Sequence, residues 1–101
     1  MNILVLGAGD IGSYVATVLS KEEHHVTLAD KNPARLHYHA NHTDVAIANC
    51  DGSDWRNLQD LMGPSPDFFM AMTEDDAINL NACCIAKNLG YKSTICRISQ
   101  P

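Results

Sequence analysis

The sequence predicts an α/β fold: a doubly wound parallel sheet in three layers, built by a single domain over residues 1–101. Three observations point to it. Short apolar runs alternate with amphipathic helical patterns along the whole chain, as expected for strands covered by helices on both faces. A glycine-rich turn, "GAGDIG", joins the first apolar run to the first helical pattern. Runs such as "FFMAMT" are continuously apolar, which suits strands buried from both sides.

In order, "NILVLG" reads as the first strand. Ile11, Val15, Val18 and Leu19 then recur at i, i+4, i+7 and i+8, giving a helix with one apolar stripe that runs to about Glu22. "HVTLAD" is the second strand. Asn32 and Pro33 start a helix to roughly Ala40, asparagine as cap and proline at the first helical position. "DVAIAN" is the third strand, and Asp51, Gly52 and Ser53 form a turn. "SDWRNLQDLM" is a short helix capped by Ser53 or Asp54, after which "GPSPD" breaks the chain. "FFMAMT" is the fourth strand, "EDDAINLNACCIAKNLG" a helix ended by Gly90, and "STICRIS" the fifth strand. The chain stops at Pro101 directly after that strand, which gives the expectation of a fragment of a longer regulator.

Composition narrows the function. Seven basic against twelve acidic residues leave a net charge of −5, and the cations are not gathered, so a nucleic-acid partner is not expected. No apolar run is long enough to insert into a membrane, and the chain begins with a strand, not a signal segment, so a cytoplasmic location is expected. Cys50, Cys83, Cys84 and Cys96 contain no C-x-x-C pair and are expected to be buried thiols.

Gly7, Gly9 and Gly12 have the G-x-G-x-x-G spacing of a Rossmann-like dinucleotide loop. Gly7 allows the tight turn, Gly9 leaves room for a pyrophosphate, and Gly12 lets the helix pack on the strand. Asp10 and Ile11 open that helix, whose N-terminal amides and dipole favour an anion; Asp10 itself complements the dipole while pointing to solvent. Asp30 ends the second strand 18 residues after Gly12. A carboxylate there is expected to accept ribose hydroxyls and repel a 2′-phosphate, favouring NAD or NADH, or alternatively ADP or ATP, over NADP. Lys31 and Arg35 soften that exclusion.

The succession "GAGDIG", "LADK", "CDGSD", "AMTEDDAINL" and "CRIS" resembles the N-terminal nucleotide-binding (TrkA-N, KTN or RCK) domain of Trk-type potassium-uptake regulators. The T-x-x-D-x-x-N-like pattern in "TEDDAINL" is its most diagnostic part. The resemblance implies a cytoplasmic, non-enzymatic regulator that binds NAD(H) or adenine nucleotides. It further implies dimers within a larger ring, and a membrane potassium transporter or channel subunit as partner at the inner face of the membrane. By position, Asp51 with Gly52 matches the acidic loop near the adenine. Thr73 and Asn79 match the nucleotide's far side, and Arg97 matches an arginine that reaches phosphates. Two positions depart from the family pattern: Cys50 replaces a usual glycine, and Ala77 stands where an acid is common.

Other residues have plainer readings. His37, His39 and His42 lie on or just past a helix end without a third firm metal ligand. Glu74, Asp75 and Asp76 complement a helix N-terminus. Trp55 and Leu58 are expected in the core. The cofactor half of a dehydrogenase is the competing function, but no catalytic His, Lys or Tyr is identifiable beside the nicotinamide. A redox sensor working through Cys83 or Cys84 ranks last, because no nearby cation would lower a thiol pKa.

Overall fold

The computed structural model describes residues 1–40 and 44–99, the side chains of 38–40 excepted. His42 and the side chain of His39 therefore lie outside the described residues. Five strands alternate with four helices: β1 (Asn2–Leu6), α1 (Asp10–Lys21), β2 (His25–Asp30), α2 (Pro33–Ala40), β3 (Ala46–Asn49), α3 (Trp55–Asp60), β4 (Phe68–Ala71), α4 (Asp76–Leu89) and β5 (Ser93–Cys96). The strands form one parallel sheet in the order β3-β2-β1-β4-β5. The chain reverses its direction of winding between β1 and β4, and the crevice beyond their carboxyl ends is where ligands of such sheets collect.

Side-chain alternation divides the core in two. Leu4 and Leu6 of β1 point toward Leu58, Phe69, Ala82 and Ala86 beneath α3 and α4. Ile3 and Val5 point the other way, into a cluster with Ala16, Val26, Leu28 and Leu36 beneath α1 and α2. A sheet with an apolar cluster on each face is the three-layer arrangement expected from continuously apolar strands.

The helix ends follow the expected chemistry. Asn32 Oδ1 accepts the Ala34 amide at 3.0 Å, Asp54 caps α3 through the Arg56 amide at 3.0 Å, and Asp75 caps α4 through the amides of Ala77 and Ile78. Gly90 closes α4 at φ 118°, a left-handed conformation that glycine adopts without a Cβ penalty.

Three expectations need correction. The inward face of α1 is Gly12, Ser13 and Ala16, while Ile11 and Val18 face solvent with Tyr14. Close approach of the helix to the sheet at the glycine loop admits only small side chains there, so of the predicted stripe Leu19 packs against the core while Ile11 and Val18 do not. Trp55 is half exposed, with the Arg56 guanidinium 6.0 Å from its ring centroid, and only Leu58 of α3 enters the core. Cys50 and Cys83 are buried, but Cys84 is exposed and Cys96 intermediate. Adjacent helical residues diverge by about 100°, so Cys83 and Cys84 cannot both face the sheet.

Candidate functional site

The loop after β1 leaves the sheet between β2 and β4. Gly7 donates its amide to Ala29 O at 2.7 Å, and Met72 donates to Leu6 O at 2.7 Å, so the three strand ends are tied together. Gly7 has φ 107°, and a Cβ built there would meet the Met72–Thr73 peptide at 2.8 Å. A Cβ on Gly12 would stand 1.8 Å from the Gly7 carbonyl oxygen. These two glycines are required by the backbone itself. Gly9 differs: its Cβ direction is open, meeting only Arg35 Nη1 and Glu74 Oε1, each at 3.5 Å. The space is a cradle that a methyl group would fill, and no side chain caps the α1 N-terminus behind it.

Asp30 stands beside this cradle, nearly buried at 7% exposure. Its Oδ2 accepts the Ala8 amide at 2.7 Å and its Oδ1 accepts the Asn32 amide at 2.8 Å. Arg35 Nη1 lies 3.9 Å from Oδ2. The carboxylate thus fixes the glycine loop to the end of β2, while each oxygen keeps a further lone pair for a hydroxyl.

A groove of roughly 290 Å³ runs over the sheet's carboxyl edge, walled by Leu6, Gly7, Asp30, Lys31, Arg35, Cys50, Asp51, Gly52, Thr73 and Ile78 among others. Beyond Arg35 and Glu74 it continues into an outer hollow lined by Gly9, Asp10, Ile11 and Arg97. Asp51 Oδ1 accepts the Ser53 amide at 3.0 Å and the Ser53 hydroxyl at 2.7 Å, and these bonds hold its pKa below the ordinary carboxylate value. Gly52 lies on Leu6, where a Cβ would meet Cδ2 at 2.3 Å. The Cys50 thiol is raised to about 11, first by burial and then by Asp51 and Asp54, so it forms a neutral wall.

Thr73 and Asn79 are joined directly. Thr73 Oγ1 donates to Asn79 Oδ1 at 2.6 Å, and the Thr73 amide donates to the same oxygen at 3.0 Å. Asn79 Nδ2 donates to Thr73 O and to Arg97 O at 3.0 and 2.9 Å. Asn79 is fully buried and does not line the groove, so its influence there passes through Thr73 and Arg97. Asp76, the middle residue of the T-x-x-D-x-x-N-like pattern, accepts the Ser99 amide and hydroxyl, both at 3.0 Å. The motif is a brace between β4, α4 and the chain beyond β5.

The sequence reading missed Asn49, whose Nδ2 donates to Asp30 O and Lys31 O at 3.0 and 3.1 Å and so joins the carboxyl ends of β2 and β3. It also read Glu74 only as a helix-start acid. Among the described residues no group of three or more His, Cys, Asp or Glu side chains could hold a metal ion.

Residues 3–101 match the family model for the TrkA-N domain. The chain belongs to the TrkA-N family. This TrkA-N domain is 34% identical over its whole length to a "Trk system potassium uptake protein TrkA homolog" of Pyrococcus abyssi, of which it covers 45%. It is 31% identical, again over its whole length, to a protein of the same name from Archaeoglobus fulgidus, covering 23% of it. Identity to the "Trk system potassium uptake protein TrkA" of Vibrio alginolyticus is 30%, with 22% of that protein covered. The chain thus spans less than half the length of these curated relatives. The family assignment agrees with the sheet order and glycine loop of a Rossmann-type TrkA-N domain. No helix among the described residues is long and apolar enough to cross a membrane.

Proposed function

We propose that this TrkA-N domain binds NAD or NADH, or alternatively ADP or ATP, and regulates potassium uptake without turning the nucleotide over. The single observation that carries the reading is the open cradle over Gly9, bounded by the α1 N-terminus and the Asp30 carboxylate. The donor set fits the ligand. The α1 N-terminus and Arg35 supply donors for phosphates, Asp30 has acceptor capacity for ribose hydroxyls, and Leu6, Cys50 and Ile78 offer apolar surface for a base, which supports the reading.

The names of the relatives support potassium uptake as the process. In the full-length protein the domain would act from the cytoplasm, at the inner face of the membrane, through contact with a potassium transporter or channel subunit. Assembly into homo-oligomers, dimers within a larger ring, is supported by Ile11, Tyr14 and Val18, which are 46%, 69% and 37% exposed along one face of α1.

Calorimetric titration of NADH and ADP into the wild type and Gly9→Ala tests the site. Binding by the wild type and its loss in the variant are expected. Steady nicotinamide oxidation with 2-hydroxy acids, amino acids or aldehydes, abolished by Gly9→Ala, would instead make the domain the cofactor half of a dehydrogenase.

A further inference from the structure

We propose that Glu74 sets the charge selectivity of the nucleotide site, holding Arg35 at the phosphate loop until a ligand phosphate takes its place. The inference rests on the nucleotide reading above and goes beyond it by naming which phosphates are favoured.

Arg35 Nη2 meets Glu74 Oε1 at 3.3 Å, while Nη1 lies 3.9 Å from Asp30 Oδ2. One guanidinium therefore joins α2, the end of β2 and the loop before α4. The pair overhangs the cradle, since a Cβ on Gly9 would be 3.5 Å from both Arg35 Nη1 and Glu74 Oε1. Arg35 and Glu74 also line both the inner groove and the outer hollow, so a ligand reaching from one to the other passes them.

The two carboxylates on Arg35 differ in their freedom. Asp30 is held by the Ala8 and Asn32 amides, and its side chain is 9% exposed. Glu74 is 70% exposed and meets Arg35 from solvent. A solvated ion pair of this kind opens at little cost. A phosphate over Gly9 competes for Arg35 with an acceptor that can swing away, and Glu74 yields.

Displaced, Glu74 stays tethered to the loop between Thr73 and the Asp75 cap, beside the cradle over Gly9. Its charge then opposes each further phosphate charge. A dinucleotide's pyrophosphate carries less charge than the diphosphate of ADP, and ADP less than ATP. Glu74 therefore biases the site toward NADH over ADP and toward ADP over ATP in the absence of divalent cations.

Titration of NADH, ADP and ATP into wild type and Glu74→Gln, in metal-free buffer at low ionic strength, tests this. A like charge about 7 Å away in water changes affinity by about threefold per unit of charge. Metal-free ATP carries about two more charges than the pyrophosphate of NADH, so Glu74→Gln is expected to tighten both and to improve ATP about tenfold more than NADH, with the gains shrinking as salt is raised. Glu74→Lys should move the same ratio further. Thermal melts of the exposed-site variants should match the wild type. An unchanged ratio of NADH to ATP affinity in Glu74→Gln overturns the inference while leaving the nucleotide site standing. A wild type that binds none of the three overturns both.

Discussion

The Asp30 carboxylate accepts the Ala8 amide at 2.7 Å, binding the end of the second strand to the glycine loop across 22 residues of sequence. The same carboxylate takes the Asn32 amide at the start of the second helix. It is thus a structural acceptor and, in the function proposed, the ribose acceptor as well. Asp30→Ala is expected to lower stability by about 1–3 kcal/mol, because two backbone amides lose their partner. NADH affinity should fall by about ten- to a hundredfold. Urea denaturation and calorimetry on the same preparations read both effects, and a loss of affinity with no loss of stability would mean that the Ala8 bond is unimportant.

The glycines of the loop should separate by phenotype. Gly12→Ala sets a methyl 1.8 Å from the Gly7 carbonyl oxygen and is expected to cost about 3 kcal/mol or more. Gly9→Ala meets nothing closer than 3.5 Å and should stay within about 1 kcal/mol of wild type, yet bind NADH at least about tenfold more weakly. Thermal melts alongside titrations distinguish the two, and a Gly9→Ala variant with full affinity would place the phosphates elsewhere.

Asn79 satisfies Thr73 twice through its oxygen, and Thr73 O and Arg97 O through its nitrogen. Asn79→Ala orphans these groups in a fully buried position and is expected to cost about 2–4 kcal/mol. A change below about 0.5 kcal/mol in denaturant unfolding would show that water replaces the amide.

These cases show what the residue string made legible. Strand positions followed from apolar runs, and the glycine loop followed from spacing placed between a strand and a helix. Both are local signals. Asp30 was legible as a strand-end acid, but its bond to Ala8 depends on the two strand ends lying side by side. Glu74 meets Arg35 from 39 residues away, and Asn49 bridges two strand ends; periodicity carries no information about either. The inward face of α1 was read correctly at Leu19 but missed at its start, where close backbone approach selected Gly12, Ser13 and Ala16 over larger apolar residues.

Thiol chemistry gives a pH test. Burial raises Cys50 from 9.0 to about 11 and Cys83 from 9.0 to about 12. The folded state thus holds these protons more tightly than the unfolded chain. Their contribution to stability is complete below pH 9.0 and is lost as pH rises through about 11 and 12. Denaturation midpoints should fall as pH rises from 9.0 toward about 11, less steeply in Cys50→Ala. At neutral pH, iodoacetamide should modify exposed Cys84 well before Cys50 or Cys83, as mass mapping would show. A flat stability profile over that range would contradict the burial of these thiols.

Cofactor choice tests the proposed site most directly. The buried Asp30 carboxylate lies where an adenosine ribose is proposed to sit, and a 2′-phosphate would meet its charge with only the half-exposed Arg35 and exposed Lys31 to offset it. Calorimetric titration of NADH and NADPH into the wild-type domain should give NADH the tighter binding by about tenfold or more, a difference that narrows or reverses in Asp30→Ala. Equal affinities for NADH and NADPH in the wild type would contradict the placement of the ribose against Asp30.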